Sequence, residues 1–185
     1  MTTLELQKIA DLISCPLPMD TSVNTCKVKE QDRSAKLKEV TLKYMDSEAF
    51  FFSPEIGKGK AGVMSPLLAK SGVHNATCDA VAILVTKQGK YIVLIELKSD
   101  RPKGYREQFH STRCFIEYIR ILLKEFHMCN LDNYQYRYLL LTTSQSGRRP
   151  LDKTTTTYRK NCLPKSEIQV ETVKNGQKIS ITRFL

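Results

Sequence analysis

Two runs rich in β-branched residues, Asp79-Ala-Val-Ala-Ile-Leu-Val-Thr86 and Tyr91-Ile-Val-Leu-Ile-Glu-Leu-Lys98, stand only four residues apart. Val and Ile suit a pleated, buried strand and lose rotamer freedom in a helix, so the pair reads as a β-hairpin closed through Lys87-Gln88-Gly89-Lys90. Neither run alternates strictly between apolar and polar residues. Both strands should therefore be covered on both faces, as at the centre of an α/β sheet.

The flanking segments fit around that hairpin. Pro102 and Gly104 lead into a helix over 105–126, where Phe115, Ile119, Leu122 and Phe126 recur at the spacing of a buried stripe. Tyr136 to Thr142 predicts a further interior strand, closed by the basic turn Gly147-Arg148-Arg149-Pro150. Upstream, Leu4, Ile9, Leu12 and Ile13 predict a helix over 2–14, stopped by Cys15-Pro16-Leu17-Pro18. Residues 20–38 are polar and poorly periodic, while Val40, Leu42, Tyr44 and residues 50–52 point to one or two strands divided near Asp46-Ser47. Ser53 to Gly72 holds two prolines, four glycines and three lysines, a loop composition. Near the C-terminus, Asn175-Gly176 separates two apolar-containing runs, 168–173 and 178–184, and predicts a hairpin. The expected whole is one α/β domain over 1–185, a central mixed β-sheet flanked by helices, with its clearest core at 79–142 and a basic segment plus hairpin over 144–185.

Charge narrows the partners. With 29 Lys and Arg against 19 Asp and Glu, the net charge of +10 favours a polyanion through long-range attraction and counterion release, and nucleic acid comes first. No apolar run reaches the roughly 18 residues of a membrane span, so a soluble cytoplasmic or nuclear protein is expected, without a membrane partner. The six cysteines form no C-x-x-C pair, and His74, His110 and His127 form no metal-binding tract, which argues against zinc. Gly57-Lys58-Gly59-Lys60-Ala61-Gly62 formally matches G-x-G-x-x-G but lacks a strand before it and a helix after it, so a basic loop is the preferred interpretation over a nucleotide site. Tyr134, Tyr136, Tyr138 and Tyr158 could stack on bases, though alternating tyrosines in a strand more often pack.

Chemistry enters where the second oily strand ends. Glu96 and Lys98 interrupt it, and half-buried charges are costly unless they pair or bind metal. At i and i+2 they share a face, with Leu97 pointing the other way. A turn about Gln88-Gly89 pairs Lys87 with Lys90, placing Val81 opposite Glu96 and Asp79 opposite Lys98. Asp79 and Glu96 would then be diagonal neighbours, roughly 7–8 Å apart, able to converge on one hard cation. Carboxylate oxygens suit Mg²⁺ or Mn²⁺, which can lower the pKa of a water and neutralise charge on a phosphodiester, while Lys98 positions that water or stabilises the transition state.

Asp79, a sixteen-residue gap across a hairpin, and Glu96-Leu97-Lys98 at a strand end together resemble the PD-(D/E)xK nuclease superfamily. The resemblance is best over 79–142 and implies a restriction-endonuclease-like core of helix, three strands, helix and strand. It implies Asp79 and Glu96 as metal ligands, the Leu97 carbonyl as a further ligand, Lys98 as the catalytic lysine and Gln108 as a site residue on the following helix, with Glu107 its competitor. Cys78 stands in place of the proline before the aspartate, and Thr112 where some nucleases carry a tyrosine. Relatives often add an N-terminal glutamate, for which Glu5 is nearest in topology and Glu48 and Glu55 are rivals. Arg101, Lys103 and Arg106 after the motif, together with Arg148 and Arg149, would hold the sugar–phosphate backbone. The implied activity is divalent-metal-dependent hydrolysis of nucleic acid, DNA before RNA, with a homodimer or partner protein supplying recognition. The rival is a nuclease-fold module that binds nucleic acid without turnover.

Overall fold

Pairing of the two oily runs organises the chain, seen in a computed structural model that describes residues 4–13, 16–20, 22–30, 32, 34–55, 73–99, 102–143 and 163–185. In chain order the elements are α1 (Leu4–Leu12), β1 (Met19–Asp20), β2 (Thr25–Lys29), β3 (Glu39–Lys43), β4 (Ser47–Phe52), β5 (Ala80–Thr86), β6 (Lys90–Lys98), α2 (Tyr105–His127), β7 (Tyr134–Thr142), β8 (Ile168–Thr172) and β9 (Lys178–Ser180). The result is an α/β architecture with two mixed sheets, ordered β4-β5-β6-β7-β8 and β1-β2-β3-β9.

Strands β4, β5 and β6 form an antiparallel meander, and β7 and β8 add to it in parallel. A parallel neighbour needs a crossover, and α2 supplies the one from β6 to β7. The central strands are buried on both sides, as their continuous apolar character demanded. Val81, Ile83, Ile92, Leu94, Tyr138 and Leu140 face α1 and α2 through Leu6, Ile9, Phe109, Ile116 and Leu123. On the other side Ala80, Ala82, Leu84, Val93, Ile95 and Leu139 pack on Val28, Val40, Leu42 and Ile179 of the second sheet. Both described helices flank the larger sheet on one face, and the four-stranded sheet covers the other.

Three further differences have local causes. Strand β2 escapes a periodicity search because it is five residues long, with only Cys26 and Val28 as inward-facing apolar residues and two lysines facing out. The buried stripe of α2 runs through Tyr105, Phe109, Thr112, Ile116, Ile119 and Leu123, sharing only Ile119 with the predicted one. Phe126 is 76% exposed, lying two residues before the left-handed cap Met128 and past Leu123, the last buried residue of the helix. The C-terminal hairpin does not form. Gly176 makes the expected tight turn at φ 75°, but β8 pairs with β7 and β9 with β3, so the turn carries the chain from one sheet to the other. Asn175 explains the diversion: its Oδ1 accepts the amides of Lys38 (2.7 Å) and Glu39 (3.0 Å), docking the turn against the start of β3.

Candidate metal centre

The ends of β4 and β6 and the start of β5 meet at one rim of the larger sheet, and the register there differs from the simplest reading of the hairpin. Thr86 and Gly89 close a two-residue turn of Lys87-Gln88, with the Thr86 amide donating to the Gly89 carbonyl (2.9 Å) and the Thr86 hydroxyl accepting the Gln88 and Gly89 amides. Ladder pairs run from Val85↔Lys90 to Ala80↔Ile95, which continues to Asp79 across from Glu96 rather than Lys98. The shift is two residues. Because side chains alternate with period two, Asp79, Glu96 and Lys98 keep a common face.

Asp79 sits at a bend just before β5, 4% exposed, and its Oδ2 accepts the Leu97 amide at 2.6 Å. Leu97 thus meets Asp79 through its N–H. Helix α2 clamps the approach to Asp79 at two points: Gln108 Nε2 donates to the Thr77 carbonyl (3.1 Å) and the Thr112 hydroxyl accepts the Cys78 amide (2.9 Å). Gln108 therefore positions the strand that carries Asp79. Thr112 fills a structural role one turn further along.

Glu96 is fully buried. Its Oε1 pairs with the Lys98 ammonium, the Asp79 amide lies beside the carboxylate, and neither oxygen has a hydrogen bond of good geometry among the described residues. Burial pushes the Glu96 carboxyl from 4.5 to about 7, against the opposing pull of Lys98. Asp79 is pushed well above the usual carboxylate range, first by burial and then by the charges of Glu96 and Glu30. Burial works against the Lys98 ammonium, but the Glu96 carboxylate outweighs it and leaves the lysine more firmly protonated than usual.

The acidic partners of Asp79 come from elements that carry no motif. Carboxylate oxygens of Glu30, just past β2, Glu55, just past β4, and Asp79 all lie within 4.8 Å of one another. Glu96 lies outside that triad, so the arrangement is a half-buried acidic triad backed by a buried Glu96–Lys98 pair. The donor set fits a hard divalent ion: oxygen ligands only, three carboxylates within 4.8 Å of one another, and behind them a buried carboxylate whose Oε2 has no hydrogen-bond partner among the described residues. Of the three N-terminal acids considered from sequence, Glu55 reaches the site. Glu5 does not, because it is held by Lys90 (2.7 Å) and the Tyr134 hydroxyl (2.9 Å) at the turn end of the hairpin. Glu48 pairs across from Val85, also at that end. Glu30 was not foreseen; its only sequence signal is the brief alternation Cys26-Lys27-Val28-Lys29 before it.

The proposed phosphate contacts divide. Lys103 is exposed beside the start of α2. Arg106 instead donates from Nε and Nη2 to the Leu163 carbonyl (2.9 and 2.6 Å), which occupies its guanidinium in a structural clamp. Arg101, Arg148, Arg149 and the glycine-rich loop from Gly57 to Gly62 lie outside the described residues. Tyr134, Tyr136 and Tyr138 pack in the helix-side core, and Tyr136 and Tyr138 stack on each other at 6.3 Å. Among the described residues Cys26, Cys78 and Cys129 are buried free thiols and Cys114 an exposed one. No described helix is long and apolar enough to cross a membrane. Comparison with known protein families, with curated proteins and with solved structures finds no match for this chain.

Proposed function

We propose that the protein is a divalent-metal-dependent nuclease with a restriction-endonuclease-like core, hydrolysing phosphodiesters of DNA in preference to RNA. The observation that carries this is the joint burial of Asp79 and Glu96 at one strand rim, with Lys98 beside them and Glu30 and Glu55 converging on Asp79. A purely structural ion pair would need one acid and one base. Here Glu96, Asp79 and Glu30 all act on Lys98, and the oxygens of Glu30, Glu55 and Asp79 lie within 4.8 Å of one another, a gathering of carboxylates that a Mg²⁺ or Mn²⁺ ion stabilises.

Asp79, Glu30 and Glu55 would hold the ion, with Glu96 behind them. When bound, the ion supplies a Lewis acid that stabilises charge on the phosphodiester and lowers the pKa of the attacking water. The residues of the chain set the rest. Lys98, kept cationic by Glu96, is unsuited to act as a base; it orients the water and stabilises negative charge on the non-bridging phosphate oxygens. Glu96 fixes the ammonium in place. Gln108 and Thr112 hold the Thr77–Asp79 segment so that the Asp79 carboxylate keeps its bond to the Leu97 amide. The surplus of positive charge attracts the polyanion and makes its binding salt-dependent.

The test is incubation of the full chain with labelled single- and double-stranded DNA and RNA in Mg²⁺, Mn²⁺ or EDTA. Cleavage that needs metal and is lost in Asp79→Ala and Lys98→Ala supports the enzyme. Binding that survives both substitutions, with no cleavage of any substrate, replaces it with a non-catalytic binding module.

A further inference from the structure

The acidic triad includes a residue from outside the larger sheet, and the way that residue is held singles out another one. Glu30 follows β2 of the four-stranded sheet, which packs on the face of the larger sheet opposite the helices. Its backbone is fixed: the Glu30 amide donates to the Lys38 carbonyl (2.9 Å), closing the base of the connection between β2 and β3. One arm of that connection is tied to the larger sheet by a side chain at the end of β6. The Ser99 hydroxyl, immediately after Lys98, accepts the amides of Lys36 (2.7 Å) and Leu37 (3.2 Å). Leu37 is fully buried in the core between the sheets, and Asn175 takes the next two amides, of Lys38 and Glu39. The connection is thus tied down from both sheets, with Glu30 beside Asp79.

Distances report the same proximity. Carboxylate oxygens of Glu30, Glu55 and Asp79 lie within 4.8 Å of one another, and Glu30 Oε1 also accepts the Asp32 amide (3.0 Å). Three carboxylates brought that close by two different sheets are explained by a cation they share.

We infer that the second sheet completes the metal centre: Glu30 is an acidic ligand supplied across the sheet–sheet interface, and Ser99 is the positioning residue that holds the β2–β3 connection in register with the Asp79–Lys98 rim. This rests on the metal-site reading above and extends it to residues no motif contains. Ser99 touches neither the ion nor the substrate. It acts through the backbone of Lys36 and Leu37.

The experiment is Mn²⁺ binding to the full chain, followed by electron paramagnetic resonance of free ion and by Tb³⁺ luminescence, with the metal-free melting temperature measured alongside. Glu30→Gln should weaken binding by about 100-fold and Ser99→Ala by about tenfold, the range seen when groups around a metal are removed. Ser99→Thr, which keeps the hydroxyl, should restore most of the affinity. Metal-free Glu30→Gln should melt no lower than the parent, since it removes repulsion between acids. Unchanged affinity in Glu30→Gln, while Asp79→Asn abolishes binding, overturns the role of Glu30 and leaves the nuclease proposal standing. Lowered melting temperature with unchanged Mn²⁺ affinity in Ser99→Ala reduces Ser99 to a structural residue and overturns its positioning role. Absence of binding by the parent protein overturns both this inference and the proposal beneath it.

Discussion

Replacing Glu96 with Gln should change how the stability of the metal-free protein depends on pH. The Glu96 carboxyl is buried with an ordinary value of 4.5 raised to about 7, burial being the main cause. A carboxyl whose folded value lies above its unfolded one adds stability that is complete below the unfolded value and is lost as pH rises through the folded value. At about 1.4 kcal/mol per pH unit, the interval from 4.5 to about 7 corresponds to roughly 3 kcal/mol. Asp79 acts in the same direction. The carboxyls lowered by their partners, Glu5, Asp20, Asp32 and Asp132, have the opposite sign but act below their unfolded values of 3.8–4.5, outside this window. Urea denaturation of the full chain in EDTA, between about pH 4 and 8, should show the parent losing roughly 3 kcal/mol more than Glu96→Gln across the window. Mn²⁺ at about a hundred times its dissociation constant should return roughly 2.7 kcal/mol to the parent at neutral pH. Parallel curves for the two proteins, or a steeper loss in the variant, would refute the claim that Glu96 is buried without adequate compensation.

Other substitutions separate site from scaffold. Gln108→Ala removes one hydrogen bond to the Thr77 carbonyl and should cost about 1 kcal/mol in urea while weakening Mn²⁺ binding, because the Asp79 segment loses its clamp. Arg106→Ala should cost roughly 1–3 kcal/mol through the lost bonds to Leu163, yet leave the salt dependence of nucleic-acid binding unchanged; a shallower slope by filter binding would make Arg106 a phosphate contact after all. Phe109→Ala should destabilise by about 3–5 kcal/mol in chemical denaturation, since the ring is fully buried between Tyr105 and Tyr138. A loss under about 1 kcal/mol would contradict its place in the helix-side core.

Long elements with one dominant pattern were legible from residue types. The hairpin over 79–98, α2 and β7 were each marked by many residues in succession, and the conjunction of Asp79, Glu96 and Lys98 on one face followed from period-two alternation alone. That conjunction survived a two-residue error in register because a shift of two preserves the face. The turn itself was misplaced because the Thr86 hydroxyl, a local side-chain bond, decides which residues occupy it. Gln108 stood out from its place on the helix after the motif, whereas its partner, the Thr77 carbonyl, carries no sequence mark.

Residue order along the chain thus settled the long strands and helices and which charges interrupt an oily strand, for these depend on neighbours a few positions away. It left open what those strands and charges meet. Asn175 sends β8 and β9 to different sheets by bonding amides 136 and 137 positions away. Likewise Glu30 reaches Asp79, and Ser99 reaches Lys36 and Leu37, only after two sheets have buried Val28, Leu37, Val93 and Ile95 against each other. Hydrophobic burial is non-directional and brings the layers together; the partners of each polar group at the rim are then chosen by geometry between distant segments, which local patterning does not encode.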